Sequence, residues 1–437
     1  MLPGRAYVPS APVSPARPTV KVVGRRLGAE DHRLRDFLTR AAQSFEWYEA
    51  GTGEAEAVLA AAGASGAELP VLIDGENVMA AATIERAAEE WGVRAPPQRR
   101  DYDIAIVGAG PAGLAAAVYA ASDGLSTVVL DRDVPGGQAS HTSMIENFFG
   151  FPEGIGGAEL ARLAGRQAER FGAELVLLRG IEGSSHGEDG FVVRLEGGHE
   201  VVAPLAIAAT GMAWRRLEAE GVEGLIGRGV YYGAGRSEAS QCGGDDVVVI
   251  GAGNSAGQAA MHLGNAGAHV VMVVRGDSLA KSMSAYLVER IEVHPGIEVR
   301  LRCETEAVEE DGGVLAAVLV RDRDGVTDRI PAAALFVCIG GAPCTEWAAG
   351  SGVRVGPAGF VLTGPDLITD GERPSEWPLD RDPLALETSV PGLFAAGDVR
   401  HGSPRRVGGA VGDGAMAVAL AHRVRDKLPH PGRASWL

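Results

Sequence analysis

Two glycine loops carry the chemistry of this chain. Gly108-Ala109-Gly110-Pro111-Ala112-Gly113 and Gly251-Ala252-Gly253-Asn254-Ser255-Ala256 each follow a short apolar run, and they begin 143 positions apart. Glycines at this spacing let backbone N–H groups close on a pyrophosphate at the start of a helix, where the helix field favours an anion. Asp131, 23 positions after Gly108, stands where a carboxylate accepts ribose hydroxyls. The four cysteines, Cys242, Cys303, Cys338 and Cys344, form no C-x-x-C and have no suitably spaced histidines for zinc, so no metal site is expected. They are expected to be reduced thiols, with a Cys338/Cys344 redox pair flanking Gly340-Gly341 as the open alternative.

The loops need strands before them and helices after them. Tyr102–Val107, Leu114–Ala121 and Thr127–Leu130 read as one βαβ unit. Val247–Ile250, a helix from Asn254, and His269–Val274 read as a second. Two such units imply two nucleotides. The expected fold class is α/β, with two Rossmann-like, three-layer ββα nucleotide-binding domains, the second inserted in the first. A break near Thr210-Gly211 and a return strand at Leu335–Val337 set the expected boundaries: residues 101–212 and 333–437 for the first domain, 213–332 for the second. Asp366–Asp382 is polar and proline-containing and reads as an excursion loop.

Residues 1–19 are proline-rich and patternless and read as a flexible tail. From Val20 the pattern changes. Val20–Val23, Asp31–Ala42, Phe45–Tyr48, Ala55–Ala62, Leu69–Gly75 and Thr83–Trp91 predict βαβαββα, and residues 95–100 read as a linker. This order, with Pro70 opening the third strand, resembles the thioredoxin/glutaredoxin fold, in which that proline is usually cis. The resemblance places a redox site after the first strand. The segment there reads Gly24-Arg25-Arg26-Leu27-Gly28, and residues 20–94 contain no cysteine. A thiol relay through this unit is excluded, leaving docking, dimerisation or a vestigial role.

Forty basic against 57 acidic residues give a formal charge of −17, which repels a phosphate backbone or an anionic lipid surface. Nucleic acid and membrane are not expected partners. No run approaches 18 consecutive apolar residues and no signal-peptide pattern opens the chain, so a cytoplasmic protein is expected. The 62 glycines follow no G-x-y period and suit nucleotide-binding turns.

Further motifs make a resemblance specific. Pro135-Gly136-Gly137-Gln138, Ile145 to Gly157, Ala209-Thr210-Gly211, Gly227 to Tyr232 and Pro391 to Val399 are similar to the low-molecular-weight thioredoxin reductase family over about residues 101–425. The resemblance implies FAD in the first domain, held by Gly108, Gly110, Pro111, Ala112, Gly113, Asp131, Gly137, Gln138, Asn147, Thr210, Gly211, Gly397, Asp398, Arg406, Val407 and Ala410. It implies NADPH in the second, held by Gly251, Gly253, Asn254, Ser255, Ala256, Arg275 and Lys281. NADPH is favoured because the second strand runs into Arg275 and lacks a ribose-binding acid; NADH, or an unused site, remains the alternative. A homodimer is implied by the resemblance alone.

Gly233 and Arg236 align with the two family cysteines that take electrons from reduced flavin, and neither residue can form a disulfide. The expected activity is therefore hydride transfer from nicotinamide to flavin, followed by direct transfer to an unidentified acceptor. His141 is the candidate proton carrier beside the flavin, with His401 a weaker one. Two other readings stay open: a flavin-binding regulatory or interaction protein with incidental turnover, and a flavin oxidase of a small dithiol using dioxygen.

Overall fold

The computed structural model describes residues 18–142, 144–187, 190–233 and 242–425. Most of the expected tail, and Arg236, lie outside them.

At the N-terminus the elements are β1 (Val20–Gly24), α1 (Ala29–Arg40), β2 (Phe45–Glu49), α2 (Gly53–Ala61), β3 (Val71–Asp74), β4 (Asn77–Met79) and α3 (Ile84–Glu90). This is the expected βαβαββα order. The sheet runs β2-β1-β3-β4, with β1 parallel to β2 and antiparallel to β3. The Leu69–Pro70 bond is cis. Leu34, Phe37 and Leu38 of α1 bury their side chains against Val20, Val22 and Leu72 of the sheet. Thr52 and Thr83 cap α2 and α3 through their hydroxyls.

The first nucleotide sheet follows from β5 (Ile104–Val107), α4 (Pro111–Ser122), β6 (Thr127–Leu130), α5 (Gly157–Arg170) and β7 (Glu174–Val176). Next come β8 (Ile181–Gly187), β9 (Gly190–Leu195) and β10 (His199–Ala203), an antiparallel layer, and then β11 (Leu205–Ala208) and β12 (Met212–Trp214).

The second unit comprises β13 (Val230–Tyr232), β14 (Asp246–Ile250), α6 (Asn254–Asn265), β15 (His269–Val274), α7 (Ala285–Glu292) and β16 (Ile297–Leu301). An antiparallel layer of β17 (Glu304–Asp311), β18 (Val314–Arg321) and β19 (Thr327–Pro331) precedes β20 (Ala334–Val337). The chain returns through β21 (Gly341–Pro343) to β22 (Leu393–Ala395) and α8 (Val407–Arg425).

The two sheets are parallel and have the orders β22-β11-β5-β6-β7 and β13-β20-β14-β15-β16. The interior strands β11 and β20, each flanked by a strand on both sides, are buried at every position, as expected for strands covered on both faces. The fold class is as expected, with two Rossmann-like units of three layers. One boundary is corrected. Leu335–Val337 does not return to the first sheet; it pairs with β13 and β14 inside the second. An apolar run of this kind fits either sheet equally well, and only the pairing decides. The crossing is made instead by β12 and β21, an antiparallel ribbon with Met212 opposite Pro343 and Trp214 opposite Gly341.

The polar segment Asp366–Asp382 is held to the body rather than projecting from it. Trp377 is buried and donates to the Arg381 carbonyl at 2.6 Å, and Arg381 forks onto the fully buried carboxylate of Glu387 at 2.6 and 2.8 Å. Leu384 and Gly392 N–H groups complete that carboxylate's partners. Among the described residues no helix is long and apolar enough to cross a membrane.

Candidate functional site

The first loop is built by close backbone contact. Gly108 has φ +110°, and a Cβ there would stand 2.2 Å from the Ala209 carbonyl oxygen; one at Gly113 would stand 1.8 Å from that of Gly108. No larger residue fits either place. Around Gly110, by contrast, a Cβ would meet nothing within 4 Å, which leaves the opening of α4 clear for an anionic ligand. Pro111 and Ala112 form the first turn of that helix.

Asp131 closes the loop from the end of β6. Its carboxylate accepts the Ala109 N–H at 2.6 Å and the Asp133 N–H at 3.0 Å. Burial pushes its pKa up to about 6, against the pull of those two donors. Each oxygen keeps a second lone pair for a ligand hydroxyl. A cavity of about 760 Å³ opens here, lined by Gly108, Asp131, Arg132, Thr210, Ser184 and Trp347 among others.

The 3-10 turn Gly137–His141 lies over this loop, with the Gly136 N–H on the Ala109 carbonyl at 2.7 Å. The Gln138 side-chain amide donates to the Met212 carbonyl at 2.7 Å, joining the turn to the crossing ribbon. Thr210 donates to the Cys344 carbonyl at 2.8 Å, and the Gly211 carbonyl accepts the Cys344 N–H. Asn147 sits on an exposed loop beside the fully exposed ring of Phe149.

From the other side, Gly397 and Asp398 occupy the turn after β22. Gly397 donates to Asp413 at 3.0 Å, and Arg400 holds the same carboxylate at 2.6 and 3.0 Å, which fixes the turn to α8. Asp398 accepts the Ser403 hydroxyl at 2.9 Å, and burial raises its pKa. Val407 begins α8, Ala410 is buried, and Arg406 is exposed. A Cβ at Gly397 would stand 2.9 Å from that of Ala112 and 3.6 Å from that of Ala410, so the two loops meet at the N-terminal ends of α4 and α8. Of these residues the 760 Å³ cavity is lined by Gly108, Asp131 and Thr210, and by none of the 397–410 segment. The residues fit FAD: backbone donors and helix ends suit its phosphates, and Asp131 and Asp398 suit its hydroxyls.

The second loop repeats the closure. At Gly251 a Cβ would stand 2.3 Å from the Cys338 carbonyl oxygen, while Gly253 is open. Asn254 turns its Oδ1 to the Ser284 N–H at 2.8 Å, and Ser282 donates to the Ala252 carbonyl at 2.8 Å, so the 277–284 segment is stapled to the loop. Ser255 is exposed at the helix start and Ala256 is buried. Beyond the strand ends lies a cavity of about 510 Å³ lined by Arg275, Lys281, Arg302, Arg321 and Arg323, with Asp277, Glu304 and Asp322. Lys281 is paired with Asp277 at 2.7 Å and Arg275 lies 3.9 Å from Glu304. Arg302, Arg321 and Arg323 had no local signal in the sequence. They arrive through the adjacency of β16 and the β18–β19 turn to the end of β15. This cationic cavity fits a phosphorylated ribose.

The thiols are scattered. No disulfide joins any of the four; Cys242 and Cys338 are buried. Burial pushes the Cys338 pKa up to about 12, and burial, with Glu346 nearby, raises that of Cys344. Neither is a thiolate at neutral pH, so they are poor redox nucleophiles. Gly233 has φ +79°, and a Cβ there would come within 3.3 Å of the Trp214 ring. His141 meets the edge of that same ring at 6.1 Å between centroids, and its Nδ1 lies 3.7 Å from Asp36 Oδ1 of α1. His401 lies 3.3 Å from Asp366.

Two parallel sheets with glycine loops at their carboxyl ends, joined by a two-strand crossing, define a two-dinucleotide oxidoreductase. Residues 102–414 match the pyridine nucleotide-disulphide oxidoreductase family, and the chain belongs to it. Among curated relatives, the thioredoxin reductase of Bacillus subtilis (strain 168) is 32% identical over 334 residues, covering 75% of this chain and 96% of the relative. NADPH-dependent thioredoxin reductase 3 of Arabidopsis thaliana is 34% identical, covering 74% of this chain and 58% of the relative. A solved thioredoxin reductase of Lactococcus lactis superposes with a TM-score of 0.66 at 28% identity, covering 75% of this chain and 100% of that one. The protein is thus a thioredoxin reductase-like, FAD-dependent oxidoreductase linked to a pyridine nucleotide.

Proposed function

We propose that the protein oxidises NADPH and hands the electrons straight to an external acceptor, with no thiol relay of its own. The observation that carries this reading is the pairing of two intact nucleotide loops with the absence of any C-x-x-C. Gly233, where the resemblance puts the first reactive cysteine, has no side chain and stands against Trp214.

FAD, when bound, supplies the chemistry of accepting a hydride from the nicotinamide and releasing electrons to a second substrate. The chain's own residues do the rest. The Gly108–Gly113 loop and the start of α8 hold phosphates, and Asp131 accepts ribose hydroxyls. Gln138 keeps the 137–141 turn against the crossing ribbon. Gly251, Gly253, Ser255 and the start of α6 face the nicotinamide cofactor's phosphates, while Arg275 and Lys281, together with Arg302 and Arg323, favour a 2′-phosphate over a bare ribose. Asn254 holds the 277–284 segment in place. His141 is the group available to carry the proton that a two-electron acceptor needs.

Anaerobic mixing of the FAD-loaded chain with NADPH should bleach the flavin absorbance, with NADH slower. If neither nucleotide bleaches it, this reading fails.

A further inference from the structure

The helix α1 touches both nucleotide units through one stripe. At its start, the Ala29 backbone lies so close to Gly227 that a Cβ there would be 3.1 Å from Ala29 Cα, and the His32 ring packs on Tyr231 at 4.8 Å between centroids. At its end, Asp36 faces His141 and Arg40 donates to Asp133 at 2.7 Å, both in the first unit. Ala29, His32, Asp36 and Arg40 recur at three to four residues, one helical face about 18 Å long. The opposite face, with Leu34, Phe37 and Leu38, belongs to the N-terminal core.

The turn before the helix adds the latch. Asp31 accepts the Arg25 N–H at 2.8 Å and fills the space beside Gly24 and Gly28, where a Cβ would stand 2.3 and 2.0 Å from its carboxylate oxygens. Arg26 is thereby turned outward and forms an ion pair with Asp245, and it also lies 4.0 Å from the Cys242 sulfur. The turn that the sequence marks as the missing thiol site of the N-terminal unit therefore docks at the start of β14, in the same sheet as the strand that leads to Gly233.

We propose that residues 20–94 act as a permanently docked partner that covers the surface a redox protein would need, so that electrons leave only to a small, diffusible two-electron acceptor. This rests on the reductase reading above. A protein acceptor needs a face of roughly 800 Å² around the exit. Tyr231, two residues before Gly233, packs on His32, and His141, which meets the Trp214 ring that stands against Gly233, faces Asp36, so both already lie under α1. A small molecule needs only a slot. With a quinone the balance is NADPH + H⁺ + quinone → NADP⁺ + hydroquinone, the hydride supplying both electrons and solvent the second proton.

The test uses the full FAD-loaded chain under anaerobic conditions, with menadione as the small acceptor and cytochrome c as the protein acceptor. Arg26→Asp and Arg40→Asp each release one end of the contact, and Arg26→Asp with Asp245→Arg restores it with charges exchanged. Amide hydrogen exchange over residues 29–40 and 227–233 reports docking without reference to turnover. Wild type should reduce menadione at least a hundredfold faster than cytochrome c. Each release variant should raise exchange and gain tenfold or more in cytochrome c reduction with menadione turnover unchanged, and the exchanged pair should reverse both changes. Equal wild-type rates with the two acceptors, or release variants that leave exchange and cytochrome c reduction as in wild type, overturn the proposal. Failure of NADPH to bleach the flavin sinks the reductase reading, and the small-acceptor claim with it. The exchange data then still decide whether the N-terminal unit is docked.

Discussion

The Trp214 ring stands against Gly233, so close that a Cβ at that glycine would lie 3.3 Å from Cζ2 of the indole. One residue ends the crossing ribbon's first strand and the other follows β13, so the contact joins the crossing to the second unit. At φ +79° position 233 also disfavours every residue with a side chain.

Gly233→Cys, with or without Arg236→Cys, should therefore not restore a working dithiol. The left-handed backbone alone costs about 1–2 kcal/mol, and thermal unfolding should drop by a few degrees. Adding Trp214→Ala removes the crowding but not the backbone strain. Scanning calorimetry of the single and double variants separates the two contributions, and an unchanged melting temperature for Gly233→Cys would refute the strain argument.

Asp131 gives a pH dependence of known sign. Burial raises its folded pKa from 3.8 to about 6, so the folded chain binds the proton more tightly than the unfolded one. The resulting stability is complete below about pH 4 and is lost as pH rises through 6. In the FAD-free chain, the wild type should lose melting temperature across this window relative to Asp131→Asn. FAD affinity should run the other way, strengthening above pH 6 as the carboxylate becomes a full acceptor for the ribose. Parallel pH profiles for the two proteins would count against this role.

The cationic cavity predicts the nucleotide preference. Arg302→Ala and Arg323→Ala should each weaken NADPH binding by about tenfold, corresponding to about 1.4 kcal/mol, and leave NADH nearly untouched. Titration calorimetry with both nucleotides checks this. Equal losses for NADPH and NADH would mean that these arginines support the fold rather than read the phosphate. Lys281→Ala should matter less, since Asp277 already holds that ammonium at 2.7 Å.

What the sequence discloses here is mostly local. Gly108, Gly113 and Gly251 are legible because a tight strand-to-helix turn constrains consecutive residues, and Asp131 because it ends the next strand. Leu335–Val337 misleads because a fully apolar run suits either parallel sheet. Arg302 and Arg323 are silent because they become neighbours of Arg275 only through sheet order. His32, Asp36 and Arg40 look like the solvent face of an amphipathic helix, and their partners lie about a hundred to two hundred residues away in the chain.

Helix α1 has its own sheet on one side and the body on the other, and of its residues only Glu30 and Arg33, paired with each other, are exposed. A single inserted residue would turn every following position by about 100° and detach both contacts together. Although it carries no thiol, this helix has little freedom to vary, and any graft of a foreign N-terminal unit would have to match its pitch on two surfaces at once.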